Sequence, residues 1–515
     1  MTGVSRPLVI AATTVFAVLG LAPIAVMLAR VSGADLSDVL GSARTASLLG
    51  RTLWLGLATS AIALAVGLPF GFLVARTDVP GAALLRPLGL VPLMLPPLFL
   101  AITWTAMSDL RGAPAAVLIL AANTFPLVAL FSARAFERID ARSEEAALVA
   151  GGARAALMME LPLVLPAALC GTCLAFVLAV NDFAVPDYVS SVGRKFNVYA
   201  DQIFNSWQGA GSSGRAVATA LPLVALTLLT LLPALALRRS GAMATLGGDF
   251  QRPAALRLGP WRFPACAFCA ACVALCALLP LGRLVWEAGG GARGWTAAGF
   301  RSALATALEN ERAFLAASLV WSALAATLCV PLALVLGHAL ERWRHGRKLE
   351  WLAVLPIAVP AILFGIGEIV LWNRDLTAGI YNSGAVILML FVGRFVAFPL
   401  LISSGAVASL DRRLEEAGEL CGARPATRLG RIVAPSLWPS LLGGWALVFV
   451  LAMRELDAAI LVPAANRTVI FKVFNRIHFA RDDAVAALCL LIVFFILLPG
   501  LLWSLFARQR LEVLP

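Results

Sequence analysis

Leu414–Pro435 reads LEEAGELCGARPATRLGRIVAP, a polar, arginine-rich segment between two long apolar runs. Ser143–Pro162, SEEAALVAGGARAALMMELP, is its counterpart in the first half of the chain. Each contains Glu-Glu-Ala, carries Gly seven positions after the first Glu, and ends in a Pro that opens the next apolar segment. Two matching charged modules in an apolar chain point to a docking surface, and they set the frame for the residues around them.

The 515 residues are 61% hydrophobic and 14% charged, with a mean hydropathy of +0.89. Soluble domains carry about 25% charged residues. The chain is therefore a membrane protein with most of its mass in spanning segments. Apolar runs of about 20 residues recur, long enough to cross roughly 30 Å of hydrocarbon as helices. Backbone groups in lipid must be satisfied within helices or a closed barrel. A barrel would alternate over segments of about 10 residues. These runs are continuous, which predicts an all-α polytopic protein.

The spans fall near 7–29, 52–75, 88–108, 113–133, 161–183 and 216–237, then 263–286, 313–340, 351–372, 383–404, 436–456 and 484–507. The first is longer than a signal-peptide core of 7–15 residues, so it is read as a retained span. About twelve helices in two tandem sets of six are expected. Residues 1–237 form the first repeat, 238–262 a linker and 263–515 the second. Pro92 and Pro96 match Pro356 and Pro360, and Pro166, Gly171 and Phe176 match Pro439, Gly444 and Phe449. An even number of spans per repeat gives both the same orientation, with a path expected between them. Lys and Arg favour the side holding the termini, the linker and both modules. That side is read as cytoplasmic, with both termini inside a bacterial inner (plasma) membrane.

The net charge of +12 belongs to these short loops rather than to a nucleic-acid surface. Cys266, Cys269, Cys272 and Cys276 have the spacing of an iron–sulfur run. They lie in an apolar helix, where the outer two are roughly 15 Å apart along the axis. They are read as small residues at a helix contact. His338, His345 and His478 lack metal spacing, and no G-x-x-x-x-G-K-[ST] phosphate loop occurs. No metal, cofactor or catalytic residue is expected, and the chain is not expected to hydrolyse ATP itself.

The modules resemble the E-A-A motif of binding-protein-dependent ABC importer permeases. In the second, Glu416, Ala417, Gly422, Ile432 and Pro435 fall on the motif's spacing, while Gly418 and Ala434 depart from it. In the first, Glu145, Ala146, Ala147 and Gly151 match, but Leu161-Pro162 arrives two residues early. The resemblance implies a bent pair of cytoplasmic helices that docks on an ATPase subunit. It assigns Glu144, Glu145, Ala146, Ala147 and Gly151, with Glu415, Glu416, Ala417, Gly422 and Arg424, to two coupling loops. The shortened first loop predicts two unequal ATPase contacts.

Two fused six-helix repeats look most like the subgroup serving ferric iron, thiamine or 2-aminoethylphosphonate, with ferric iron favoured. The implied partners are an ABC ATPase subunit, expected in two copies, an extracytoplasmic solute-binding protein and the lipid bilayer. Candidate path residues are those lipid would disfavour: Asn181 and Asp182, aligned with Arg454 and Glu455, together with Glu368 and Arg394, which are expected to pair. Asn123 is a further polar group in an apolar span. A transporter driven by an ion gradient is the alternative; it shares the parallel repeats but needs no docking modules.

Overall fold

The computed structural model describes residues 5–210, 213–241, 251, 254–291, 294–343, 346–461, 463, 468–479 and 483–511. Part of the expected linker (242–250 and 252–253), His345 and the last four residues lie outside them. The described residues are overwhelmingly helical, with no strand, only an isolated parallel bridge between Thr77 and Leu256.

In the first repeat the main helices are α1 (Arg6–Leu28), α2 (Ala43–Arg76), α3 (Ala82–Met94), α4 (Pro97–Met107), α5 (Gly112–Phe136), α6 (Ala141–Asn181), α7 (Ala184–Val192), α8 (Tyr199–Ala210) and α9 (Ser213–Gly241). The second repeat supplies α10 (Gly259–Ala288), α11 (Ala297–Arg342), α12 (Gly346–Ala358), α13 (Ala361–Trp372), α14 (Ala385–Phe395), α15 (Ala397–Ser409), α16 (Arg412–Leu420), α17 (Pro425–Ser436), α18 (Trp438–Met453), α19 (Val469–Phe479) and α20 (Asp483–Leu511). Among the described residues, eight helices are long and apolar enough to span a membrane, or up to twelve when each of four bent pairs counts as one.

Two of the expected spans are broken. Between α3 and α4 the axis turns by 96°, and between α12 and α13 by 100°. The cause is the matched proline: Pro96 and Pro360 stand in extended backbone, with ψ of 130° and 142°, and each opens a new helix. Proline disfavours helical geometry in the residue before it and cannot donate to the preceding turn. The expected span at 383–404 is α14 and α15, interrupted only at Val396, which keeps helical backbone angles.

A break in an apolar setting strands backbone carbonyls. Asn123 on α5 donates from Nδ2 to the carbonyls of Pro92 (2.6 Å) and Leu95 (3.0 Å). Arg394 on α14 donates from Nη1 to the carbonyl of Val359 (3.4 Å).

The chain forms two compact units: Leu40–Gln202 with Pro222–Trp286, and Met1–Val39 with Ile203–Leu221 and Glu287–Pro515. In the former, α2 packs on α5 and α6, and the start of α10 packs on α2. Cys269 and Cys272 are buried there against Ala63, Phe70 and Phe125, so the cysteine run serves a helix contact. In the latter, α11 packs on α15, α18 and α20, and α1 packs on α13 and α14. Matching glycines let the helices close in: a Cβ on Gly71 would meet Ser132 at 3.1 Å, and one on Gly337 would meet Ser403 at 2.9 Å.

The repeat extends to single hydrogen bonds. Thr52 Oγ1 on α2 accepts the amide of Tyr199 at 2.8 Å, and Ser318 Oγ on α11 accepts that of Val469 at 2.9 Å. Sequences that share few identities have kept the same hydroxyl at the same height.

Candidate coupling site

Each module begins with an aspartate helix cap. Asp140 accepts the amide of Arg142, and Asp411 that of Arg413, both at 2.9 Å. This satisfies one of the amides a helix start leaves unpaired. The first module then runs along α6 to a kink at Gly151 and Gly152. Gly152 has φ +69°, a conformation that favours glycine. The second runs along α16 and stops at Gly422, with φ +76°. There the amide of Ala423 bonds the carbonyl of Gly418 and that of Gly422 bonds Glu419, a Schellman-type stop. The motif glycine of the second module thus makes the left-handed turn itself. In the first, Gly151 is extended (φ −165°) and its neighbour makes the turn.

The adjacent glutamates do different work. Glu144 and Glu415 are buried, whereas Glu145 and Glu416 are exposed. Consecutive helical residues point about 100° apart, so one faces inward and the next outward. Glu144 meets the Arg76 guanidinium at 2.7 Å, at the last residue of α2. Arg76 also meets Glu160 at 3.1 Å, beyond the kink. One buried arginine therefore ties α2 to both arms of the first module. In the second, Glu415 is held by Arg342, the last residue of α11, at 2.8 Å, and by His338 Nε2 at 2.7 Å. Its two arms are closed by a separate ion pair between Arg428 and Glu419. Burial alone would raise the Glu415 carboxyl; the bonds from His338 and Arg342 outweigh it and hold the group below its ordinary value.

Ala146 and Ala417 are exposed beside the outward glutamates, Ala147 is half-buried, and Arg424 is exposed at the start of α17. Glu416 pairs loosely with Arg412 at 3.4 Å. Sequence reasoning missed the apolar tips of the modules: Val149 and Leu420 are each 90% exposed, at equivalent positions just before the turn. An apolar tip left in water twice over is a feature that a partner surface would cover. It also missed Arg76, Arg342 and His338. The arginine pair was available as the basic last residues of two matching spanning helices.

Residues 67–243 and 329–512 each match the family of binding-protein-dependent transport system inner membrane components. The chain belongs to this family. Among relatives of this permease, the molybdenum transport system permease protein ModB of Mycobacterium tuberculosis (strain ATCC 25618 / H37Rv) is 31% identical over 207 residues, covering 37% of this chain and 77% of that protein. The putrescine transport system permease protein PotI of Escherichia coli (strain K12) is 25% identical over 194 residues, covering 37% and 69%. The Fe(3+)-transport system permease protein FbpB 2 of Haemophilus influenzae (strain ATCC 51907 / DSM 11121 / KW20 / Rd) is 22% identical over 485 residues, covering 91% and 92%. The double match and the near full-length relative describe a fused two-repeat ABC permease. Relatives of this kind are permease subunits rather than enzymes, and the family implies ATPase and binding-protein partners.

The candidate path residues of the permease separate into two groups. Asn181 bonds within its own helix, to Val177 O at 2.9 Å. Asp182 caps α7 through the amide of Val185 at 2.9 Å, and Glu455 accepts the amide of Ala458 at the same distance. These acids stand at the end of their spans opposite the modules, as local caps. Arg454 is half-buried beside Glu455. The expected Glu368–Arg394 pair is not formed. Arg394 turns instead to Glu455 at 3.3 Å and to the carbonyl of Val359, because the broken helix leaves that carbonyl in need of a donor. Glu368 on α13 is 1% exposed, and among the described residues its carboxyl oxygens make no well-formed hydrogen bond, the Trp372 side chain being close enough to act on them.

Proposed function

We propose that this permease carries a solute delivered by an extracytoplasmic binding protein, with ferric iron favoured, and that its two modules dock on two copies of an ABC ATPase in the cytoplasm. The observation that carries the reading is the division of labour in each module. An inward glutamate is latched to the end of a spanning helix, and an outward glutamate and apolar tip are left for a partner. A push on the exposed side is passed through a buried ion pair to α2 or α11. ATP binding would draw the modules together and turn the permease outward, and hydrolysis would reset it. Glu368, Arg394, Arg454, Glu455, Asn181 and Asp182 line or brace the solute path in this reading.

Ferric iron is supported by the FbpB 2 likeness, which spans the fused architecture, whereas the ModB likeness spans about one repeat. Thiamine and 2-aminoethylphosphonate remain the competing cargoes. The test is reconstitution in liposomes with the ATPase and binding protein. Uptake of labelled ferric iron, molybdate, putrescine, thiamine and 2-aminoethylphosphonate is compared, and ATP hydrolysis is followed for each. Iron-dependent hydrolysis supports the cargo. Stimulation by another solute alone reassigns it. The docking reading fails if Glu145→Arg with Glu416→Arg leaves ATPase binding intact.

A further inference from the structure

We infer that the linker between the repeats is a strap that positions the first coupling module, leaving the second module to hold itself; the inference rests on the coupling reading above. The described linker residues touch three points of the first site. The Gln251 carbonyl accepts the amide of Ala141 at 3.0 Å, and the Gln251 amide meets Asp140 Oδ2 at 3.3 Å. These are the first residue of α6 and its cap, so the linker finishes the capping of the coupling helix. Ala254 then offers its carbonyl to Arg76 Nη1 at 3.3 Å. Finally Leu256 donates its amide to the Arg76 carbonyl (2.7 Å) and accepts that of Asp78 (3.1 Å), while Asp78 Oδ1 takes the amide of Leu258 at 2.8 Å.

The second module is built without these parts. Arg342 Nη2 finds its carbonyl at Leu410, just before the module's own cap, at 3.1 Å. The arms are closed by Arg428 and Glu419. The first module is two residues shorter between kink and proline, and its arms are joined only through Arg76 among the ion pairs described. The strap supplies the carbonyl and the cap that this shorter module does not carry. Backbone bonds from two linker residues, Ala254 and Leu256, fix Arg76, and Arg76 fixes Glu144 and Glu160. The linker is thereby a positioning element: it sets how faithfully movement of the first ATPase contact reaches α2, without itself forming the docking face.

The test releases the strap in the full chain. Leu256→Pro removes the amide given to Arg76, and Asp78→Ala removes the bond to Leu258. Leu256→Val keeps the amide and serves as the conservative control. With reconstituted ATPase and binding protein, the double variant should show maximal solute-stimulated hydrolysis lowered by at least about fivefold, the loss expected for a single ordinary hydrogen bond of the two removed. The ATPase concentration giving half-maximal stimulation should stay within about twofold of wild type. Leu256→Val should match wild type in both. An unchanged maximal rate overturns the inference. So does a loss of rate that comes entirely from weaker ATPase binding, since the linker would then belong to the docking face. Should the double variant fail to assemble, hydrogen exchange on the wild-type chain decides. The Ala141 amide must exchange more slowly than that of Arg412, its counterpart without a strap, and equal rates overturn the inference. Failure of the docking reading has its own signature, intact ATPase binding after reversal of Glu145 and Glu416, and is read separately.

Discussion

Asn123 and Arg394 sit at equivalent positions of the two repeats and cap equivalent helix breaks, one with an amide and one with a guanidinium. The offset between them, 271 positions, is that between Glu144 and Glu415. Asn123→Ala strands the Pro92 and Leu95 carbonyls and should cost about 2–6 kcal/mol, at roughly 1–3 per buried group left unsatisfied. Asn123→Asp, which cannot donate when ionised, should be no better. Thermal unfolding in detergent reads both, and an Asp variant as stable as wild type overturns the assignment.

The latch predicts an order of severity. Arg76→Ala leaves Glu144 and Glu160 buried without their cation, and breaking a buried pair in this way costs about 3–5 kcal/mol. Arg342→Ala leaves Glu415 with His338 and should cost less. Unfolding midpoints of the two variants give the ranking directly. Because the Glu415 carboxyl is held below its ordinary 4.5, its contribution is complete above that pH and is lost only as pH falls further. Coupling through this group should therefore be flat from about pH 7 to 8, above the range in which its imidazole partner His338 takes up a proton.

Val149→Asp and Leu420→Asp should each weaken ATPase binding by roughly tenfold or more, since burying an aliphatic side chain at an interface is worth about 1.5–3 kcal/mol. Both positions are 90% exposed in the chain alone, so unfolding midpoints should not move. Calorimetry or surface capture with purified ATPase measures the first effect. A midpoint shift without weaker binding would show that the tips pack within the chain.

Glu368→Gln removes a buried carboxyl that makes no well-formed hydrogen bond. Stability should rise by about 1–2 kcal/mol, because a buried amide carries no charge to desolvate whereas an ionisable carboxyl does. Solute uptake should fall, the trade common where function needs a strained group. Full uptake in a stabilised variant removes Glu368 from the path.

Asp201, near the start of α8, is pushed up to about 7 by burial foremost, helped by Asp187 and Asp182 and opposed by its bond to the Val198 amide. A carboxyl that holds its proton more tightly when folded favours folding at low pH. That contribution fades as pH rises from about 4 through 7. The unfolding midpoint of the wild type should thus drop by several degrees between pH 5 and 8, while Asp201→Asn stays nearly level. Parallel pH profiles for the two proteins would refute this.

Spans and repeat could be read from the chain because apolar length and the positions of Pro and Gly survive divergence. The modules could be read because charge stands out in an apolar chain. The breaks at Pro96 and Pro360 could not, since a hydropathy window averages over the one or two extended residues that turn the helix. The split between Glu144 and Glu145 was hidden for a different reason. Neighbours in sequence differ by a rotation, and only packing fixes which way the helix is turned. The same missing rotation led Glu368 to be matched with Arg394 on apolar flanks alone, when the guanidinium had a stranded carbonyl and Glu455 to satisfy.

The packing of α1 also sets a timetable. Its partners α13 and α14 belong to the other end of the chain. At about 5–20 residues per second, synthesis reaches them some 330 residues and roughly 20–60 s after α1 is complete. Through that interval the first helix must wait in the bilayer with only lipid or an insertion factor against the face that α13 and α14 will cover. Premature release of the chain would strand that face. Quality control of this protein therefore turns on α1 finding partners that are made only in the second repeat.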